Sequence, residues 1–133
     1  MKTRWLSMDI LESPLHYALF LTEEHYQKEL KRLKIPPQIH APFLNPGAHA
    51  TIHLYTREED RSIAMVCFGS AQGKTIEQVH ALLVHEATHL KQWILEEIGE
   101  HYPGREIEAY IMQNLSQCLM VSYRDQVGAH RKK

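Results

Sequence analysis

Two histidines and a glutamate occur in the run His85-Glu86-Ala87-Thr88-His89, which has the form H-E-x-x-H. Residues four apart on a helix lie one turn apart on the same face, so the two imidazoles can bind one zinc ion together. Glu86 lies beside them without being a ligand, and there its carboxylate can take a proton from a metal-activated water. The run therefore predicts a zinc site with hydrolytic chemistry.

The motif lies inside the longest helical pattern of the chain, which extends from Thr75 to about Gly99. At about 100° per residue, the apolar side chains of this helix form one stripe, and the two histidines point to roughly the opposite side, about 40° apart. We therefore expect the His pair to face a second, partly covered space rather than the main core. The stripe consists of Ile76, Val79, Leu83, Ala87, Leu90 and Ile94.

A catalytic zinc site takes three protein ligands and leaves one position for water. The next predicted helix, from about Arg105 to Val121, offers Glu106 and Glu108. Glu106 lies on a face that is polar throughout, whereas Glu108 shares its face with apolar residues that are typical of packing. We take Glu106 as the third ligand and keep Glu108 as the alternative.

With this glutamate the sequence resembles the gluzincin class of zinc metallopeptidases, in which H-E-x-x-H is followed by a glutamate ligand on a later helix. Glu106-x-x-Ala109 is similar to the E-x-x-A segment of several such families, including small cytoplasmic metallopeptidases of phages and mobile elements. The resemblance covers about residues 75 to 120 and does not extend to residues 1 to 48. It implies a zincin-like fold and hydrolysis of peptide bonds, with Zn²⁺ held by His85, His89 and Glu106.

Under this interpretation Glu86 is the general base, and one further donor stabilises the developing oxyanion. Tyr110 is the first candidate for that donor because it lies one turn from Glu106, with Tyr102 and His101 behind it. In zincin-like folds the substrate pairs with an exposed strand edge, so the strand at 49–55 or the strand at 62–68 is expected to hold the substrate by β-augmentation.

The elements around the motif predict one α+β domain that spans residues 1–133. We expect a first helix over 13–33 with Ser13 as its cap and Pro14 at its first position, and an extended but ordered loop over 34–48 that holds four prolines. Strands His49–Tyr55 and Ser62–Phe68 follow as a hairpin, joined by the charged residues 57–61. The basic tail from Gly128 is expected to fray.

Composition excludes several classes of function. A formal net charge of -1 argues against a nucleic-acid binder, and no apolar run is long enough to span a bilayer or forms a signal peptide. Two cysteines make no disulfide framework, which fits a reducing cytoplasm. We therefore expect a peptide or protein substrate, no nucleic-acid or membrane partner, and a cytoplasmic location; the sequence does not indicate the oligomeric state.

Two other interpretations remain open. The first is a zinc-binding protein of the same fold that does not hydrolyse anything and acts as a regulatory or interaction module. The second is a helical binding protein with an accidental motif, which contacts nucleic acid through Arg131-Lys132-Lys133.

Overall fold

The computed structural model describes residues 1–7, 13–56 and 62–131, with the backbone alone at 130 and 131. In this part of the chain the fold is α+β, as predicted, with helices packed on a small sheet. The strands are β1 (Leu15–Phe20), β2 (Ala50–Tyr55) and β3 (Ser62–Phe68). The helices are α1 (Glu23–Arg32), α2 (Ile76–Glu97) and α3 (Arg105–Arg131), and a short 3₁₀ helix lies at Pro37–Ile39.

The sheet has the order β1-β3-β2, so β3 is its central strand. β3 pairs with β2 in the antiparallel direction, with Ala50 opposite Phe68, which confirms the predicted strand pair. It also pairs with β1 in the parallel direction, with Leu15 opposite Ser62. The predicted hairpin connection at 57–61 lies outside the described residues.

The predicted helix over 13–33 is wrong in its first half, because residues 15 to 20 form β1. The helix begins only at Glu23, where the Thr22 hydroxyl caps it by accepting a hydrogen bond from the His25 amide at 3.2 Å. Ser13 caps no helix, and its hydroxyl donates to the Leu15 carbonyl at 2.6 Å. Side chains four apart, such as Leu15 and Leu19, share a face in a strand as well as in a helix, so the spacing did not distinguish the two.

The sheet separates two apolar cores. On one face, α2 and α3 pack against side chains such as Tyr17, Val66 and Phe68. On the other face, α1 packs against Phe20, Met65 and their neighbours. The Tyr26 hydroxyl donates to the Ala41 carbonyl at 2.9 Å on this second side, which holds the loop over 34–48 in an ordered conformation, as predicted.

Helix α2 has a defined start and end. Thr75 and Gln78 form a capping box, in which the Gln78 amide donates to the Thr75 hydroxyl at 3.1 Å and the Thr75 amide to the Gln78 side chain at 2.8 Å. Gly99 adopts φ of +77°, and its amide donates to the Glu96 carbonyl, so it ends the helix as predicted. The predicted buried stripe is confirmed except at Ile76, which is 51% exposed because it lies in the first turn.

Helix α3 is longer than predicted and runs to Arg131 rather than to Val121, so the expectation that the chain frays from Gly128 is wrong up to residue 131. Its second half is bonded to the sheet by Gln126, whose amide donates to the Leu19 carbonyl at 2.9 Å and to the hydroxyl of the buried Ser122 at 3.2 Å. Residues 132 and 133 lie outside the described part. Among the helices described here, none combines the length and the apolar character that crossing a membrane requires.

Candidate metal centre

The two motif histidines lie side by side on α2 and point away from the main core, as predicted, but both are exposed rather than facing a partly covered space. Their ring centroids are 5.0 Å apart and the ring planes are inclined by 74°. Nδ1 of His89 lies 3.1 Å from Oε1 of Gln92. An amide oxygen only accepts, so Nδ1 is the nitrogen that donates in this contact and Nε2 is the nitrogen available to a metal.

Glu86 lies between this exposed pair and the core, and its residue surface is only 5% exposed. Burial raises the pKa of its carboxyl, and the neighbouring His85 and His89 lower it to a smaller extent. No hydrogen bond or ion pair among the described residues involves this carboxylate. A carboxyl for which burial outweighs the neighbouring charges holds its proton more strongly than an exposed one, which brings its pKa closer to the range in which a general base works.

Neither candidate third ligand lies with the His pair. Glu108 forms an ion pair with Lys91, with 3.7 Å between Oε1 and Nζ. Lys91 follows His89 by two residues, about 200° around the helix, so this pair lies on the side of α2 away from His89. Glu106 is exposed and lies, by the same spacing, on the side of α3 opposite to Glu108.

The described residues therefore meet some, but not all, of the requirements of a zinc site. His85 and His89 supply two nitrogen donors one helical turn apart, as in zinc sites of this kind, and Gln92 bonds to the ring of His89. Within residues 1–7, 13–56 and 62–131, no group of three or more His, Cys, Asp or Glu side chains is placed to hold a metal ion together. The third ligand stays a prediction.

The three candidates for oxyanion stabilisation are exposed. Tyr110 is 53% exposed and Tyr102 is 96% exposed, and His101 lies beside the latter in the turn between α2 and α3. None of the contacts recorded among the described residues joins them to the His pair. Their roles also stay predictions.

The two strands proposed for substrate pairing differ in what they can offer. β3 is paired on both sides and has no free edge, so the alternative at 62–68 is wrong. β2 pairs with β3 on one side only, and α2 packs against it. The Gly69 amide donates to the His49 carbonyl at 2.9 Å, so these two residues form a hydrogen-bonded pair. Hydrogen-bonded and non-hydrogen-bonded pairs alternate along an antiparallel strand, so the N–H and C=O groups of Ala50, Ile52 and Leu54 point away from β3.

The opposite border of the sheet is covered. Leu6 bonds to Tyr17 on the outer side of β1 through two backbone hydrogen bonds, at 2.8 Å and 3.1 Å. In the described part of the chain, the outer edge of β2 is therefore the border of the sheet that stays open to a further strand.

Two contacts of the site were missed by sequence reasoning. Gln92 lies three residues after His89, a spacing at which helical side chains meet, so the run H-x-x-Q carried a signal for it. The Lys91–Glu108 pair joins two helices, and nothing local in the sequence indicates it. Comparison with protein-family models, with curated proteins and with solved structures finds no significant match.

Proposed function

We propose that this chain is a zinc-dependent metallopeptidase of a zincin-like fold that hydrolyses peptide bonds in a peptide or protein substrate. One observation carries the proposal: the His85 and His89 rings lie 5.0 Å apart on the exposed face of α2, with the buried carboxyl of Glu86 next to them. When bound, zinc supplies a Lewis acid that activates water and polarises the scissile carbonyl. The protein supplies the donors, the proton acceptor and the substrate platform.

Glu86 is the proton acceptor in this mechanism. Burial raises the pKa of its carboxyl, so it takes a proton from the attacking water more readily than an exposed glutamate does. It then passes that proton to the leaving amine. Since the helix backbone fixes Glu86 directly after His85, the carboxylate and the donor pair keep a constant relation.

Glu106 is the proposed third ligand, as the sequence predicts. Its carboxylate is exposed in the first turn of α3, whereas Glu108 is held by Lys91 on the far side of α2. The position of Glu106 relative to the His pair depends on how α3 crosses α2, and the turn between the two helices contains Gly99, Pro103 and Gly104.

The outer edge of β2 is the proposed substrate platform. An extended peptide that pairs with the outward backbone groups of Ala50, Ile52 and Leu54 adds a strand to the sheet. The side chain of Leu54 is 40% exposed on this strand, so it offers an apolar contact for the substrate. The cysteines are free, which supports action in the reducing cytoplasm.

Zinc stoichiometry tests the ligand set. Elemental analysis of tag-free protein is expected to find one zinc per chain in the wild type and none in His89→Ala or Glu106→Ala. Exposed residues that are not ligands provide matched controls, with His101→Ala for the histidine and Glu97→Ala for the glutamate, and both are expected to keep the metal. Zinc that is kept in Glu106→Ala but lost in Glu108→Ala would reassign the third ligand. A wild type without metal after zinc is supplied would overturn the proposal.

Hydrolysis tests the activity itself. Zinc-loaded wild type is expected to release fluorescent peptides from fluorescein-labelled casein, and Glu86→Gln is expected to keep its zinc and lose this release. If both proteins bind one zinc and neither cleaves casein or a library of unfolded proteins, the chain is the non-catalytic zinc-binding module. This pair of measurements therefore separates the two proposals that share the metal site.

A further inference from the structure

A groove opens between the start of α2 and the second half of α3, away from the His pair. Its cavity volume is about 790 Å³. Pockets for small molecules are typically about 300–1,000 Å³, so the groove has the size of a ligand site. The loop before α2 forms one end of it, and residues from Gln117 to Gly128 form its α3 side.

The wall of the groove is largely apolar. Val79 is buried at its base, Ile76 is 51% exposed beside it, and Met120, Val121 and Val127 are half-buried on α3. When a partner covers apolar side chains in an open groove and removes them from water, the free energy of the system falls. The groove therefore favours an apolar occupant.

The charged side chains that line the groove are all of one sign. They are Lys74 and Arg124, with His80 as a further basic group, and among the described lining residues none is acidic. In the described part of the chain, the Lys74 ammonium donates to a neutral acceptor, the Ser70 carbonyl, at 3.2 Å, and forms no ion pair there. Asp125 pairs with Arg124 at 3.2 Å but also with Arg4 at 3.3 Å, so one carboxylate is shared by two guanidinium groups.

We propose that this groove binds a small anionic amphiphile: an acyl chain lies along the apolar wall, and its carboxylate is held by the basic side chains Lys74 and Arg124. Charge complementarity selects this occupant. The site is independent of the proposed zinc chemistry.

Calorimetric titration with dodecanoate below its micelle concentration tests the proposal. Dodecyltrimethylammonium, with the same chain and the opposite charge, is the matched probe. The wild type is expected to bind dodecanoate at a 1:1 ratio and at least about tenfold more tightly than the cation. Equal affinity for the two probes, or no binding of dodecanoate, would overturn the proposal.

Substitutions then locate the site. Arg124→Gln is expected to weaken dodecanoate binding about fivefold, in line with an exposed charge contact, and Lys74→Gln with Arg124→Gln together by more. Val121→Glu is expected to abolish binding, with its fold checked by circular dichroism. Arg105→Gln, at the far end of α3, and His89→Ala are the controls that keep full affinity. If Arg105→Gln weakens binding as much as Arg124→Gln, the ligand lies elsewhere and the assignment is wrong.

Sedimentation of the same proteins tests the rival occupant, a second copy of the chain. A monomeric wild type that binds dodecanoate supports the proposal. A dimer that dissociates in Val121→Glu, and that dodecanoate does not disrupt, would assign the groove to a subunit interface and overturn it.

Discussion

In the part of the chain that the structure describes, two glutamates are buried, one on each side of the sheet, and their surroundings shift their pKa values in opposite directions. Glu29 of α1 is 3% exposed and forms an ion pair with Arg32. Burial raises the pKa of its carboxyl, but the Arg32 guanidinium, with the nearby polar groups of Thr3 and Trp5, outweighs that effect and holds the pKa below its usual value. Glu86 of α2 is 5% exposed, and its pKa is above the usual value because burial is the dominant influence there.

The two carboxylates differ in the positively charged group that lies next to each of them. Arg32 keeps part of its guanidinium in water and still reaches Oε1 of Glu29, so this buried carboxylate has a cationic partner at the surface of the core, although its Oε2 accepts no hydrogen bond in the described part of the chain. Glu86 has His85 and His89 as its nearest recorded charge partners, and these are groups that a metal also uses. A buried acid whose pKa is lowered by a permanent cation is expected to serve the fold, whereas one whose pKa stays raised beside a candidate ligand pair is expected to serve chemistry.

The largest expected effect is on hydrolysis. Glu86→Gln should lower the rate of casein cleavage by about 10²–10⁴-fold, the usual contribution of a general base. Glu29→Gln should leave the rate per folded molecule unchanged, because Glu29 lies on the other side of the sheet. The rates are measured on zinc-loaded proteins, with the folded fraction determined by circular dichroism. Equal losses in the two variants would remove the functional distinction between the glutamates.

For stability the order of the two variants should be reversed, with Glu29→Gln as the one that is destabilised. At pH 7, Glu29→Gln is expected to lower the free energy of unfolding by about 1–3 kcal/mol, because it removes a charge-assisted hydrogen bond inside the protein. Urea unfolding measures this change. Glu24→Gln provides the control, since Glu24 belongs to the same helix and pairs with Lys28 in the solvent. A loss for Glu29→Gln no greater than that of the control would contradict a structural role.

Removal of the Glu86 charge should increase the free energy of unfolding rather than lower it. In metal-free protein at pH 7, Glu86→Gln is expected to raise the free energy of unfolding by about 0.5–1 kcal/mol, because a neutral amide is less costly to bury than a carboxylate. Glu97→Gln, at the exposed end of the same helix, should change it little. Thermal unfolding in a chelator gives the comparison, and a clear loss of stability in Glu86→Gln would show that the carboxylate has a stabilising partner.

The smallest expected effect is a pH dependence of the Glu29 contribution. A carboxyl whose pKa is lower in the folded than in the unfolded protein adds stability above the unfolded value, near 4.5, and loses it as the pH falls through the folded value. The stability difference between wild type and Glu29→Gln should therefore be constant from pH 7 to about 5 and shrink below 4.5. Unfolding curves at pH 7, 5 and 3 measure it, and a gap that widens in acid would reverse the sign of the pKa shift.

Local signals predicted the centre of the fold well and its borders poorly. β3 was predicted to the residue, and α2 to within two residues at each end, because a buried apolar run and a helical pattern that ends at a glycine are both local in sequence. β1 was missed because its partner, β3, lies far along the chain. The end of α3 was missed because its contacts with β1, such as that of Gln126 with Leu19, are invisible to helical periodicity.

The same distinction between local and long-range signals applies to the candidate metal site. His85 and His89 come from one turn of one helix, so their spacing alone places them together. The relation of Glu106 to them depends on how α3 crosses α2, and the pairing of Lys91 with Glu108 is part of that crossing. Residues of one element can be placed from sequence, whereas a ligand from a second element requires the tertiary structure.

The parallel pairing of β1 with β3 also sets the order in which the chain can fold. During synthesis β1 emerges first, and its partner follows only after α1, the proline-containing loop and β2 have been made. Contacts so distant in sequence slow folding, and in the meantime the apolar strand Leu15–Phe20 has an unpaired edge. Its contacts with α1 on one face and the backbone bridge to Leu6 on its border are local enough to form early. A nascent chain arrested before β3 would therefore keep its first strand shielded by its own N-terminal half until translation resumes.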